Sequence, residues 1–172
     1  MRLPRLLLPL AALLLSGPAR AAVAVPSSVE ELARDADAVV RGRVVSKTAR
    51  FTPDHRRIFT WVEVEPSSVW AGTAKGRVTV LVPGGVVGDI GQRVDGMPAF
   101  AQGEDVVVFL SGAEAGAFRV TGLAQGKFSV KDGTATPDLS HMIFTEAPLR
   151  AGERRPGPMG VAELEQRVRS VR

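Results

Sequence analysis

Glu104-Asp105-Val106-Val107-Val108-Phe109-Leu110 is the stretch from which the fold class is read. Five consecutive apolar residues, β-branched or bulky and without polar alternation, fit a strand buried on both faces and therefore placed centrally in a sheet. Downstream, Phe118 with Val120 and Phe128 with Val130 alternate with polar residues, and Gly122 to Gly126 separate them. They read as two further strands joined by a turn. Upstream, the valines of Arg77-Val78-Thr79-Val80-Leu81-Val82 alternate until Pro83 stops pairing.

Earlier still, Ile58, Thr60, Val62 and Val64 alternate with Phe59, Trp61, Glu63 and Glu65, a sustained period of two. Pro66-Ser67-Ser68 is expected to interrupt that strand, with Val69-Trp70-Ala71-Gly72-Thr73 forming an aromatic-anchored turn. Residues 50–57, centred on Pro53-Asp54, are a turn. Ala38 to Ser46 is a β-branched strand with Gly42 inside it, which predicts a bend or bulge there. Six short, closely spaced strands predict a mainly β domain, a small antiparallel OB-like barrel with a β-sandwich as the alternative.

Two helices flank these strands. Ser27 and Ser28 each have a glutamate three residues later, so either can open a capping box for a short N-terminal helix ending near Ala36. Behind Gly160, Val161, Leu164, Val168 and Val171 recur at helical spacing, with Glu163 or Glu165 available to Arg167 or Arg169. The reading divides the chain into a leader, residues 1–21, a β-barrel domain, 22–132, an irregular surface segment, 133–158, and a C-terminal amphipathic helix, 159–172.

The leader has basic residues from Met1 to Arg5, an apolar run from Leu6 to Leu15, Gly17-Pro18, and the triplet Ala19-Arg20-Ala21. This is a signal peptide in form, with cleavage expected after Ala21 and, at a second small-residue triplet, after Ala24 as the alternative. Export to the periplasm or beyond the cell follows, and with no later run approaching 18 apolar residues no stable membrane insertion is expected. Arg2, Arg5 and Arg20 leave with the leader, so 22 basic residues become 19 against 18 acidic ones, net +1. Residues 22–149 hold 13 basic and 15 acidic groups, so no basic face and no nucleic-acid partner are expected.

The chain has no cysteine and two histidines. That excludes disulfide scaffolds, zinc ribbons, thiol catalysis and a lipid-anchored cysteine. Five glycines crowd Pro83 to Pro98, yet the segment lacks the Gly-Lys pair of a P-loop and leads into a strand rather than a helix, so neither nucleotide motif fits. A loop this long suggests a binding surface, with Gly84, Gly85, Gly88, Asp89, Gly91, Gln92 and Arg93 as candidates and Gln92, Asp89 and Asp95 also suited to satisfying loop backbone. No catalytic or metal residue and no cofactor is assigned. The competing reading is a secreted hydrolase or metal-dependent protein using Asp54, His55, Asp138 and His141, whose ligands would have to converge from distant loops. Trp61, Trp70, Phe51 and Phe59 form either an aromatic strip or the closure of a barrel end.

Five segments carry a resemblance: Ala36-Asp37-Ala38-Val39-Val40-Arg41-Gly42-Arg43-Val44, Trp70-Ala71-Gly72, Pro83-Gly84-Gly85 through Gly88-Asp89-Ile90-Gly91-Gln92, Phe100 with Gly103-Glu104 before Val106 to Leu110, and Gly122 to Phe128. Over residues 32–131 the chain resembles a family of uncharacterised secreted bacterial proteins, which implies export and a single module but no reaction. It is also similar to netrin-like modules of the tissue-inhibitor-of-metalloproteinases type, which implies an OB-type barrel. Those inhibitors act through an N-terminal cysteine, which this chain lacks. The function expected is an exported, non-enzymatic module that binds an unknown ligand, a protein or another molecule, through the Gly84 to Pro98 loop, with a secreted or periplasmic protein as the candidate partner.

Overall fold

A computed structural model describes residues 22–114 and 116–172; the expected leader, residues 1–21, lies outside the described residues. The elements run β1 (Ala22–Ala24), α1 (Val29–Asp35), β2 (Ala38–Phe51), β3 (Ile58–Gly72), β4 (Val78–Pro83), β5 (Gly85–Val87), β6 (Ile90–Gln92), β7 (Asp105–Glu114) and β8 (Ala117–Val120). A 3-10 turn (Leu123–Gly126) follows, then β9 (Lys127–Lys131), β10 (Thr134–Pro137), β11 (Met142–Phe144), β12 (Met159–Gly160) and α2 (Val161–Arg169).

The apolar run is β7, and its partners explain why it has no polar face. One edge pairs with β2; the other pairs first with β9, through residues 105–108, and then with β8 from Leu110 onward. β8 also pairs with β4, so β7, β2, β3, β4 and β8 close a ring, while β9, β10 and β12 extend the sheet outward from β7. Val106, Val108 and Leu110 face the ring interior with Val40, Val44, Val62, Val64 and Val80. Val107 and Phe109 face outward into a second core with Leu32, Trp70, Phe128, Leu164 and Val168, beneath the two helices. The architecture is mainly β, a closed ring of five strands consistent with the expected small barrel, but the closing pair β4–β8 is parallel where the sequence predicts an antiparallel barrel.

β2 and β3 form one long hairpin, and its bulges let it serve both the ring and the outer sheet. At Gly42 a Cβ would come within 2.3 Å of the Glu65 carbonyl oxygen, so the strands approach more closely there than any side chain allows. Pro66-Ser67-Ser68 does not break β3, and Trp70 belongs to the strand rather than to a turn. Bulges absorb the irregularity, and the Trp70 Nε1–H donates to Ser68 Oγ at 3.0 Å. The stretch expected to be irregular, 133–158, contains β10 and β11; Ala135 is fully buried and pairs with Val130.

Both helices form where the sequence places them. Ser28 caps α1 with the reciprocal Glu31 arm, which satisfies two otherwise orphaned backbone donors. In α2, Glu165 pairs with Arg169 at 2.8 Å, but Arg167 turns instead to α1 and grips both Glu30 oxygens at 2.7 and 2.8 Å. Glu153 fastens the segment before α2 to the same helix, accepting from Ser28 Oγ at 2.5 Å and Arg34 at 2.6 Å.

On the ring-facing side of β9, Lys127 is only 4% exposed. It donates to Glu104 and, at 2.8 Å, to Ser129 Oγ, and it sits over the Phe100 ring at 5.3 Å. Glu104 also accepts from Ser129 Oγ at 2.5 Å and from the Ala101 amide at 2.9 Å. Burial pushes the Glu104 carboxyl up, but the bonds from Lys127, Ser129 and Ala101 together hold it below its ordinary value. A carboxyl depressed in the folded state adds stability above its unfolded value near pH 4.3 and loses it as pH falls through the folded value. The stability of the native protein is therefore expected to fall more steeply below about pH 4.3 than that of Glu104→Gln. At pH 7, Glu104→Ala strands a buried ammonium and should cost about 3–5 kcal/mol, with much of the loss recovered in Glu104→Leu/Lys127→Met. Urea titrations across pH measure both effects.

Candidate functional site

After β4 the chain would close over the ring's mouth if Gly84 to Pro98 collapsed inward. Instead, β5 and β6 form a hairpin, with Gly88-Asp89 as its two-residue turn. The hairpin is tied to β3 at three points. Gly84 N–H donates to the Ile58 carbonyl at 2.7 Å, Thr60 Oγ1 donates to the Gly84 carbonyl at 2.7 Å, and Gln92 Oε1 accepts from the Ile58 amide at 2.6 Å. Gly85 has φ +141°, and a Cβ there would lie 2.5 Å from Thr60 Oγ1 and 2.8 Å from Ala49 Cβ, so the hairpin can lie this close to β2 and β3 only through glycine.

The result is a cleft of about 530 Å³ at one end of the ring. Val62, Val82 and Phe100, which are ring-core residues, form its floor together with Met97. Lys47, Gly84, Gly85, Gly91, Gln92 and Arg93 stand on one side, Asp138, His141 and Met142 on the other. The hairpin also carries two solvent-facing apolar residues, Val86, which lines the cleft, at 68% and Ile90 at 58% exposure.

The polar lining is largely engaged within the protein. Lys47 Nζ donates to the Phe100 carbonyl at 3.0 Å, and Arg93 meets Asp95 at 3.6 Å. Asp138 accepts from the Ser140 hydroxyl at 2.7 Å and the Ser140 amide at 3.2 Å, bonds that hold its carboxyl below the ordinary value.

Of the loop residues picked out by sequence, Gly84, Gly85, Gly91, Gln92 and Arg93 line the cleft, whereas Gly88 and Asp89 occupy the hairpin turn. Gln92 is a fastening residue, satisfying backbone as its sequence context suggests. Asp138 and His141 reach the cleft. Asp54 and His55 are not among its lining residues; they sit in the β2–β3 turn, where His55 packs on Phe51. Among the described residues no three His, Asp or Glu side chains gather as a metal site. The aromatic set is also split: Trp70 is core, whereas Trp61 is half-buried beside Phe59 on the outer face of the sheet.

Sequence reading misses Met142 and Gln125, and it names His141 without the pairing that brings it to the cleft. Met142 and His141 arrive because β11 pairs in parallel with β1, Ala22 opposite Met142. Gln125, fully buried, holds the segment after β1: its Oε1 accepts from the Ser27 amide at 2.9 Å and its Nε2 donates to the Val25 carbonyl at 3.1 Å. The one available signal is a glutamine between the glycines of Gly122-Leu123-Ala124-Gln125-Gly126, where a solvated turn has no need of it.

Gln92→Leu leaves the Ile58 amide without its acceptor and should destabilise the protein by about 1–3 kcal/mol. Hydrogen exchange should speed at Ile58 and across β5–β6 by more than it does at Val106 to Leu110; equal acceleration in both would remove Gln92 as the hairpin's fastening. No family model, curated protein or solved structure matches the chain.

Proposed function

We propose that the protein is an exported, non-enzymatic binding module that accepts an apolar segment of a secreted or periplasmic protein partner into the cleft. The observation that carries this reading is the hairpin fastened open by Gln92 and Thr60, which leaves ring-core side chains at the base of a space of about 530 Å³. That volume lies in the range of small-ligand sites, and a few apolar side chains would fill it. Val86 of the lining and Ile90 beyond it extend the apolar surface to the exposed hairpin, where a partner would shield them.

Two further points favour the reading. The resemblance read from the sequence, to secreted bacterial proteins and netrin-like modules, points to a binding module, and the closed ring of five strands is compatible with such a scaffold. Among the described residues no helix is long and apolar enough to cross a membrane, in keeping with a protein that carries its partner site off the bilayer. No cofactor is needed for this role, and the address, periplasmic or extracellular, follows from the leader expected at residues 1–21.

Ala99 lines the cleft and is exposed, so Ala99→Trp fills the mouth without entering the core. A partner co-purifying with the native protein should be lost about tenfold or more with Ala99→Trp while the melting temperature stays within a few degrees. Identical partner profiles for the two proteins would refute the cleft as the contact site.

A further inference from the structure

The balance of charge over residues 22–149 conceals where the charges lie. Residues 43–57 contain Arg43, Lys47, Arg50, Arg56 and Arg57 against one acid, Asp54. These residues are the β2 arm and the turn of the far half of the β2–β3 hairpin; the paired β3 arm adds Glu63 and Glu65, which are engaged by Thr79 and Arg77 of β4 and the turn before it. β2 pairs with β7 only as far as Arg43, and β3 pairs with β4 from Phe59 to Val64, so the turn beyond Phe51 projects past the ring. Asp54 is committed to the turn, where its Oδ1 accepts from Thr52 Oγ1 at 2.5 Å and from the Arg56 amide at 3.2 Å. Among the described residues, Arg50, Arg56 and Arg57 are exposed and enter no ion pair. The expectation that the folded part has no basic face is thus corrected.

The same hairpin carries an aromatic platform. Cross-strand register places Thr48 opposite Trp61 and Arg50 opposite Phe59 on one face, while Lys47, Thr60 and Val62 turn the other way, into the cleft. The Arg50 guanidinium lies over the Trp61 ring, 5.6 Å from its centroid, and Phe59 meets that ring edge-on at 6.5 Å. Leu81 and Pro83, opposite Trp61 and Phe59, continue the surface onto β4.

We propose that this face binds an acidic polysaccharide, a polymer with carboxylate or sulfate groups repeated along its length. A guanidinium laid on an indole is a fixed planar fork, the geometry that grips a carboxylate or sulfate through two hydrogen bonds. The neighbouring Phe59, with Leu81 and Pro83 beside it, suits the apolar face of a sugar ring. Arg56 and Arg57 at the tip meet the next charges of the chain. A nucleic-acid base would need the open face of Trp61 to stack, and Arg50 covers it. A membrane would need an apolar wedge at the tip, but the exposed large apolar residues, Val23, Val25, Val86, Ile90 and Ile143, all lie on other elements.

The test is titration of the purified protein with polygalacturonate, with uncharged dextran, an oligothymidylate and phosphatidylglycerol vesicles as comparisons. Polygalacturonate should bind, weakening as salt rises, and dextran should not. Arg50→Ala and Arg56→Ala/Arg57→Ala should each lower affinity about tenfold. Arg50→Lys, which keeps the charge and loses the fork, should lower it nearly as much as Arg50→Ala. The turn variants leave the strands untouched, so they decide the matter even if Arg50→Ala fails to fold. Failure to bind polygalacturonate, equal binding of dextran, undiminished binding by the turn variant, or tighter binding of the oligothymidylate or the vesicles would overturn the proposal.

Discussion

β7 must be dry on both sides at once, and the remaining elements are arranged to meet that demand. A strand with five successive apolar residues cannot face water on either surface, so one core has to form inside the ring and another outside it. The ring closes because β8 leaves the β7 edge and reaches β4, which encloses Val106, Val108 and Leu110. The helices are needed because Val107 and Phe109 remain to be covered on the other side. Glu30 with Arg167, and Glu153 with Ser28 and Arg34, then hold that cover in place through partly buried charged hydrogen bonds, which are stronger than their solvent-exposed counterparts.

Sharing one strand between two cores also places the two proposed binding surfaces. The interior core is open at the end where β5–β6 is held aside, so its side chains become the floor of the cleft. The β2–β3 hairpin outruns the ring at the same end and presents its two faces to different surroundings, one toward the cleft and one outward with Arg50, Phe59 and Trp61. The Glu104–Lys127 pair lies between these regions, against Phe100, so an ionised buried network supports the cleft floor from beneath.

What could be read from sequence and what could not follow from locality. The capping box at Ser28, the alternation of β3 and the doubly buried β7 are written in neighbouring residues, and each forms where expected. β10 is not legible in Thr134-Ala135-Thr136-Pro137, because one small residue, Ala135, is enough to fill its place against the second core and no periodic signal results. The parallel closure of β4 with β8 rests on two residue pairs joined across a long intervening chain, which no local pattern encodes. Net charge misled because it is a sum over the whole chain and is silent on the local cluster of Arg50, Arg56 and Arg57 at one hairpin end. The candidate loop was found from its glycines, whereas its opposite wall, His141 and Met142, depends on pairing between residues about 120 positions apart.

The short parallel pair β1–β11 gives the N-terminal boundary a structural meaning. Ala22-Val23-Ala24 has the small-large-small pattern that a leader peptidase recognises, yet the same tripeptide is a strand whose first amide donates to the His141 carbonyl. A cut ahead of it keeps that strand and sets a new chain end beside the cleft rim; a cut behind it removes the strand whole and unmoors Met142. If the chain is processed at this boundary, maturation and architecture would compete for three residues, and a shift of three positions in the cut would be the difference between a finished wall and a missing one.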